Sequence, residues 1–264
     1  VRIEAVTVCV GYGDFLAETI RENLPLLDDL VVITSPDDDE TRAVCRHHDV
    51  HHVLSEDHRR GGPFNKARLI NRVFDQIGGQ DWILHLDADI VLPLQFRRLL
   101  DCAELDERCL YGADRQRVAG WDEWQNFRRY VGSWNNHAHE MGHWFHPKYP
   151  MASRLVSSLH GYTPIGCFQL FHGSALIQHK SHQRRYPINH GDAARTDMQF
   201  ALQWDRRYRV LLPEVILLHL ESDGNSHGAN WRGRTTPRFG PSGEGGPGCR
   251  KPKPHPPHPH PPSC

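Results

Sequence analysis

The sequence predicts an α/β protein with a doubly wound, mainly parallel sheet and helices on both faces. Three observations carry this. Short β-rich runs alternate with helix-period segments through the first third of the chain. Turn signals separate them: Gly11-Tyr12-Gly13, Ser35-Pro36-Asp37-Asp38-Asp39 and Gly78-Gly79. The length, 264 residues, is enough for one large domain with its own core.

Taken in order, Ile3–Val10 is a first strand, and Phe15–Leu24 a helix with Asp14 as its N-cap and Pro25 as its stop. Leu30–Thr34 is a second strand, Glu40–His48 a short helix and His51–Leu54 a third strand. Asn65–Ile77 places Leu69, Ile70, Val73 and Ile77 on one helical face. Trp82–Leu86 is a fourth strand running into Asp87-Ala88-Asp89. Beyond Pro93 the rhythm loosens. Phe96–Leu105 reads as a helix and Cys109–Ala113 as a short strand, while 115–165 is aromatic, histidine-rich and irregular. Cys167–Phe171 is a strand candidate, Asp197–Arg206 a helix, and Val210–Leu220 a closing strand pair around Pro213.

Residues 1–236 are expected to form one domain, built of two halves over 1–93 and 94–236. After Pro237 the composition turns to Gly, Pro, His and Lys, so 237–264 is expected to be a disordered tail with nothing to bury.

Composition narrows the function classes. A net charge of −1, from 31 basic and 32 acidic residues, argues against a protein that coats nucleic acid by charge alone. No apolar run reaches membrane-span length, and no signal peptide precedes the first strand, so a cytoplasmic protein is expected. The 7 cysteines lack C-x-x-C spacing and read as reduced thiols. The 20 histidines suggest a metal, and most fall in surface-like or tail segments.

The chemistry concentrates in Trp82–Pro93. Asp87 and Asp89 sit one residue apart after a buried strand, and alternate residues of an extended segment share a side. Two carboxylates facing one cleft repel unless a cation joins them. A hard divalent ion, Mn²⁺ or Mg²⁺, suits oxygen ligands and in turn holds a diphosphate. A capped turn is the plainer alternative.

From Ile3 to about Arg234 the chain resembles glycosyltransferases of the GT-A fold, a Rossmann-like architecture, with family-2-like organisation. The resemblance implies a metal-dependent enzyme moving a sugar from a nucleotide-sugar, UDP-linked, to an acceptor hydroxyl. It implies nucleotide contacts at Val10, Gly11, Tyr12, Asp37, Asp38, Lys66, Asp87 and Ala88, and metal ligation by Asp87, Asp89 and His219. His227 is a reserve ligand, and Arg232 and Arg234 would neutralise the leaving diphosphate. Asp197, following Arg195-Thr196, would be the catalytic base of an inverting transfer, held ionised at a helix N-terminus. Gln169 and Trp134 fall on the sugar and acceptor side.

Each has a structural alternative: a tight turn at Gly11, a helix cap at Asp38 or Asp197, a core histidine at 219, a paired amide at Gln169. Two other enzyme classes stay open. His139-Glu140-Met141-Gly142-His143 matches the H-E-x-x-H zinc hydrolase signature, without the glycine and third histidine of its extended form. A nucleotidyltransferase would share the metal and nucleotide architecture. The acceptor is not specified: a glycan, a small molecule, a protein or a modified DNA base would fit, the last with Arg59-Arg60, Arg128-Arg129 and Arg184-Arg185 as phosphate contacts.

Overall fold

The computed structural model describes residues 1–62, 64–76, 81–129, 155–178, 182–189, 193–222 and 238–239. Its elements are β1 (Ile3–Val8), α1 (Gly13–Asn23), β2 (Asp29–Thr34), α2 (Asp39–His47), β3 (His51–Leu54), α3 (Lys66–Phe74), β4 (Trp82–Leu86), β5 (Ile90–Val91), α4 (Phe96–Cys102) and β6 (Leu110–Ala119). Residues 120–129 form helix α5. There follow β7 (Val156–Ser157), β8 (Gly161–Tyr162), β9 (Phe168–His172), β10 (Ile177–Gln178), β11 (His182–Gln183), α6 (Ala193–Ala201) and β12 (Arg209–Glu221).

Eight strands make one sheet in the order β3-β2-β1-β4-β9-β6-β12-β5. The β3-β2-β1-β4 half is wholly parallel, as the alternating sequence predicts, and β6 runs parallel to β12. β9 lies antiparallel to both β4 and β6, and β5 antiparallel to β12.

Period-2 alternation sorts the strand residues into two cores. Ile3, Ala5, Trp82, Leu84 and Leu86 face α1, α2 and α4, joined by Leu16, Ile20, Cys45, Phe96 and Leu100. Val6, Val8, Ile83 and Phe171 face α3 and α6, joined by Leu69, Ile70, Val73 and Phe200. Helices therefore cover both faces, and the exits of β1 and β4 lie side by side, where ligands bind in open α/β sheets.

The structure corrects several expectations. The N-cap of α1 is Tyr12, and Asp14 lies inside the first turn. β6 is ten residues long, so 115–119 is strand and 120–129 helix where irregular chain was expected. Val210–Leu220 is no strand pair but part of one thirteen-residue strand. It passes Pro213 by a register shift between Leu212 and Ile216, since proline cannot donate to the ladder.

The expected tail also begins too early. Phe239 is fully buried, its ring stacked 4.1 Å from Phe15, and its N–H donates to Asp14 Oδ2 at 2.9 Å. An aromatic ring has surface to bury, whereas its proline- and glycine-rich neighbours do not. Residues 240–264 lie outside the described residues. The described cysteines, Cys9, Cys45, Cys102, Cys109 and Cys167, are free. Among the described residues, no helix is long and apolar enough to cross a membrane.

Candidate active site

Four elements bring the site together. Asp87 leaves β4 on the same face as His85, and that face looks onto the start of α3 and the middle of α6. Lys66, the first residue of α3, is buried between two acids. Its Nζ lies 2.5 Å from Asp87 Oδ1 and 3.5 Å from Asp197 Oδ1. Asn65 caps this helix, accepting from Arg68 N and donating to the Ile188 carbonyl at 2.9 Å, so the position of Lys66 is tied to the 184–189 segment.

Asp89 takes a different partner. β5 pairs antiparallel with β12 in the register that sets His219 opposite Ile90, and Leu220 N donates to the Asp89 carbonyl at 2.8 Å. That register brings His219 Nε2 to 3.5 Å from Asp89 Oδ2. Behind the imidazole, Glu221 Oε1 lies 3.5 Å from His219 Nδ1 and 3.1 Å from Arg117 Nε. A carboxylate behind a histidine is the usual support of a metal-binding imidazole, since it leaves the far nitrogen free to ligate.

Whether these residues suit a divalent ion is decided by that donor set. Asp89 and His219 converge and offer one oxygen and one nitrogen, which fits Mn²⁺ or Mg²⁺ with substrate oxygens completing the shell. Asp87, the third expected ligand, is instead drawn onto Lys66. Among the described residues no three His, Cys, Asp or Glu side chains form a metal-holding group by themselves. The Asp87-Asp89 pair is thus divided between an ammonium and a metal-type partner.

Burial shapes the charges. The Asp87 carboxyl is pushed up to about 7, chiefly by burial, with Lys66 opposing and Asp197 and Asp89 adding to it. Asp197 is raised for the same first reason, again against Lys66. Burial would lower Lys66, but Asp197, Asp87 and Asp89 outweigh it, so the ammonium is held charged.

Asp197 is not at a helix N-terminus. It is the fifth residue of α6, so burial against Lys66 sets its ionisation, not a cap. Gly166 packs directly on it: a Cβ there would lie 1.6 Å from Asp197 Oδ2. Gln169, expected on the sugar side, is fully buried. Its amide donates to the Pro164 and Asp197 carbonyls at 3.0 Å each and accepts from the Tyr186 hydroxyl at 2.5 Å. A saturated amide inside the sheet has nothing left for a ligand.

At the exit of β1, Gly11 takes the left-handed conformation, φ 70°, and donates its N–H to Asp38 Oδ2 at 2.7 Å. Asp38 also accepts from Thr41 N, Thr41 Oγ1 and Thr34 Oγ1. Its carboxylate is therefore the cap of α2 and a clamp on the β1 turn. Asp37 is exposed, lowered to about 2 by the Ser35 hydroxyl and then by the Arg59 guanidinium 2.5 Å away. Val10 and Tyr12 are half-buried beside Gly11, and the buried Ala88 accepts from Thr19 Oγ1 at 2.8 Å. Trp134, the His139-Glu140-x-x-His143 motif, His227, Arg232 and Arg234 lie outside the described residues.

Sequence reading missed His85, Tyr186, Arg117 and Glu221. For two of them the signal was present: His85 and Glu221 stand two residues from Asp87 and His219 on extended strands, and so share their faces.

No protein-family model and no curated protein matches the chain. Among solved structures, one described as a mycobacterial protein is 14% identical, with a TM-score of 0.46, over 83% of this chain and 65% of that one. Glucosyl-3-phosphoglycerate synthase from Mycobacterium tuberculosis, in complex with Mn²⁺, uridine diphosphate and glucosyl-3-phosphoglycerate, is 12% identical at a TM-score of 0.48, over 83% and 70%. Mannosyl-3-phosphoglycerate synthase from Rubrobacter xylanophilus is 23% identical at 0.35, over 44% and 41%. This chain thus spans just under two thirds of the first of these and less than half of the last. With all three scores below 0.5, any functional reading rests on the side chains described above.

Proposed function

We propose that the chain is a metal-dependent glycosyltransferase, taking a sugar from a UDP-linked donor to an acceptor hydroxyl. The observation that carries this is the division of labour after β4: Asp89 converges with His219 at 3.5 Å, while Asp87 and Asp197 share Lys66. Asp89 and His219 would hold the cation, with Glu221 orienting the imidazole. Bound there, a divalent ion would supply positive charge against the diphosphate as it leaves.

The chain's own residues do the rest. Asp87 keeps one oxygen on Lys66, and with its side chain 31% exposed it turns the other toward donor hydroxyls. Lys66 fixes both acids and prevents either from being left as a lone buried charge. Asp197, its carboxyl raised by burial with Lys66 opposing, suits a base acting on an acceptor hydroxyl.

Screening UDP-sugars for Mn²⁺-dependent hydrolysis, then acceptor pools by mass shift, tests the activity. Release of pyrophosphate in place of a nucleoside diphosphate would convert the reading to nucleotidyl transfer. The anomeric configuration of the product tests Asp197: inversion supports it as base, and retention removes it from that role.

A further inference from the structure

Two arginines lie on the same side of β6, and only one of them has an acid to meet. The β6–β12 register sets Arg117 opposite His219 and Arg115 opposite Leu217. Arg117 Nε reaches Glu221 Oε1 at 3.1 Å. Arg115 meets a thiol instead: its Nη1 donates to Cys167 Sγ at 3.0 Å. Among the described residues that thiol is its one hydrogen-bond partner, and it has no ion pair. Its Nε is buried with nothing to bond, while Nη2, also without a bond, is not buried. Nε and Nη2 form one edge of the guanidinium, an edge that grips a carboxylate or phosphate with two parallel bonds. In Arg115 that edge is bare.

Arg115 stands at the centre of the candidate site. The sheet order β4-β9-β6-β12 puts it between the strand that delivers Asp87 and the strand that carries His219. Cys167 precedes Phe168, which pairs with Leu86, so the thiol comes out at the level of Asp87. One residue further back, Gly166 packs on Asp197 Oδ2. Cys167, then Asp89 and Asp87, keep the guanidinium charged against the cost of burial. A thiol is a weak acceptor, so it aims the guanidinium without neutralising it. Around it, Asp87, Asp89 and Asp197 are set against one ammonium, Lys66, an acidic surplus that repels an incoming anion.

We propose that the bare edge of Arg115 receives a phosphate group that a substrate carries into the transfer site. The proposal rests on the donor-binding reading above. Arg117, spent on Glu221, cannot take this role, and Cys167 leaves the edge of Arg115 open for it. The phosphate has two possible sources, the diphosphate of the donor or an acceptor that itself bears phosphate.

Nitrogen-15 NMR of the arginine-labelled full chain reads the Arg115 Nε–H directly. The signal is assigned by its loss in Arg115→Lys, and Mg²⁺ replaces the paramagnetic Mn²⁺. Saturation with UDP and Mg²⁺, or addition of inorganic phosphate to that complex, should move it. A shift on UDP assigns the donor diphosphate, and a shift only when phosphate follows assigns the acceptor. A signal that neither ligand moves overturns the proposal, and that result is read on wild-type protein.

Calorimetry with Mn²⁺ reads the consequence in Arg115→Gln. If the donor is the source, UDP should bind about tenfold or more weakly while uridine stays within about twofold, as expected for a lost hydrogen bond between charged groups. If the acceptor is the source, UDP stays within about twofold and phosphate binding to the UDP-loaded protein is lost. Equal losses for UDP and uridine would make Arg115 part of the scaffold, and unchanged binding of both UDP and phosphate would leave it without a ligand; either result overturns the proposal. A wild-type protein that binds no UDP would sink the donor reading, and the response of the Arg115 signal to phosphate alone would then decide this inference.

Discussion

Gly166→Ala tests the site through a single methyl group. The new Cβ would lie 1.6 Å from Asp197 Oδ2 and 2.1 Å from its Cγ, where real Cβ contacts essentially never fall below 3.0 Å. The carboxylate must swing away by more than an ångström. It cannot simply slide, because the Asp197 backbone carbonyl is held by Gln169 Nε2 and its residue sits inside α6. Moving Oδ1 from 3.5 Å to roughly 5 Å from Lys66 forfeits about 1.4 kcal/mol at an effective dielectric near 20. Overpacking adds about 1–3 kcal/mol of destabilisation.

In a chain of this size each kcal/mol lowers Tm by about 2–4 °C, so calorimetry should show a loss of roughly 5–15 °C with the protein still folded. An ångström-scale misplacement of the base costs about 100-fold in turnover. UDP affinity with Mn²⁺ should stay within about threefold, because neither Asp89 nor His219 is touched. Turnover within twofold of wild type would refute the placement of Asp197 at the reacting centre.

Other perturbations separate the remaining parts. Asp89→Ala should abolish Mn²⁺-dependent donor hydrolysis and remove high-affinity Mn²⁺ binding followed by electron paramagnetic resonance; unaltered binding would displace the metal assignment. Lys66→Met leaves the buried Asp197 and the half-buried Asp87 without their cation and should destabilise the fold by about 3–5 kcal/mol at pH 8 in denaturant melts, less at pH 5 where protons replace the ammonium. In the metal-free protein, Asp87 contributes its own pH dependence. Its folded-state value near 7 lies above the unfolded one near 3.9, so its stabilisation is complete below about pH 4 and is lost as pH rises through about 7. Asp87→Asn should flatten that slope. Phe239→Ala should cost about 3–5 kcal/mol by emptying the stack on Phe15, and a loss below about 0.5 kcal/mol would show that 238–239 does not belong to the folded body.

Much of the fold was legible because its signals are local. Alternation in Ile3–Val8 and Trp82–Leu86, the helical face of Leu69, Ile70 and Val73, and the turns between them depend only on near neighbours. The β6 strand was under-read because Asp114, Arg115, Gln116 and Arg117 look like loop. Pairing with β12 along its length gives those backbone groups partners that sequence alone does not reveal. Pro213 misled for the converse reason: a bulge lets one strand pass a residue that normally ends one.

By itself the sequence determined that two carboxylates follow the fourth strand and that a histidine lies within a late apolar strand. Only the tertiary structure decided who answers each of them. Lys66 claims Asp87, His219 claims Asp89, Asp197 meets Asp87 through Lys66, and Asp38 and Gln169 are spent on the fold itself. The physical reason is that side-chain period settles which face a residue points to, while its partner across the gap is set by strand register and helix docking. Those are non-local, and at a buried charge the partner decides the chemistry.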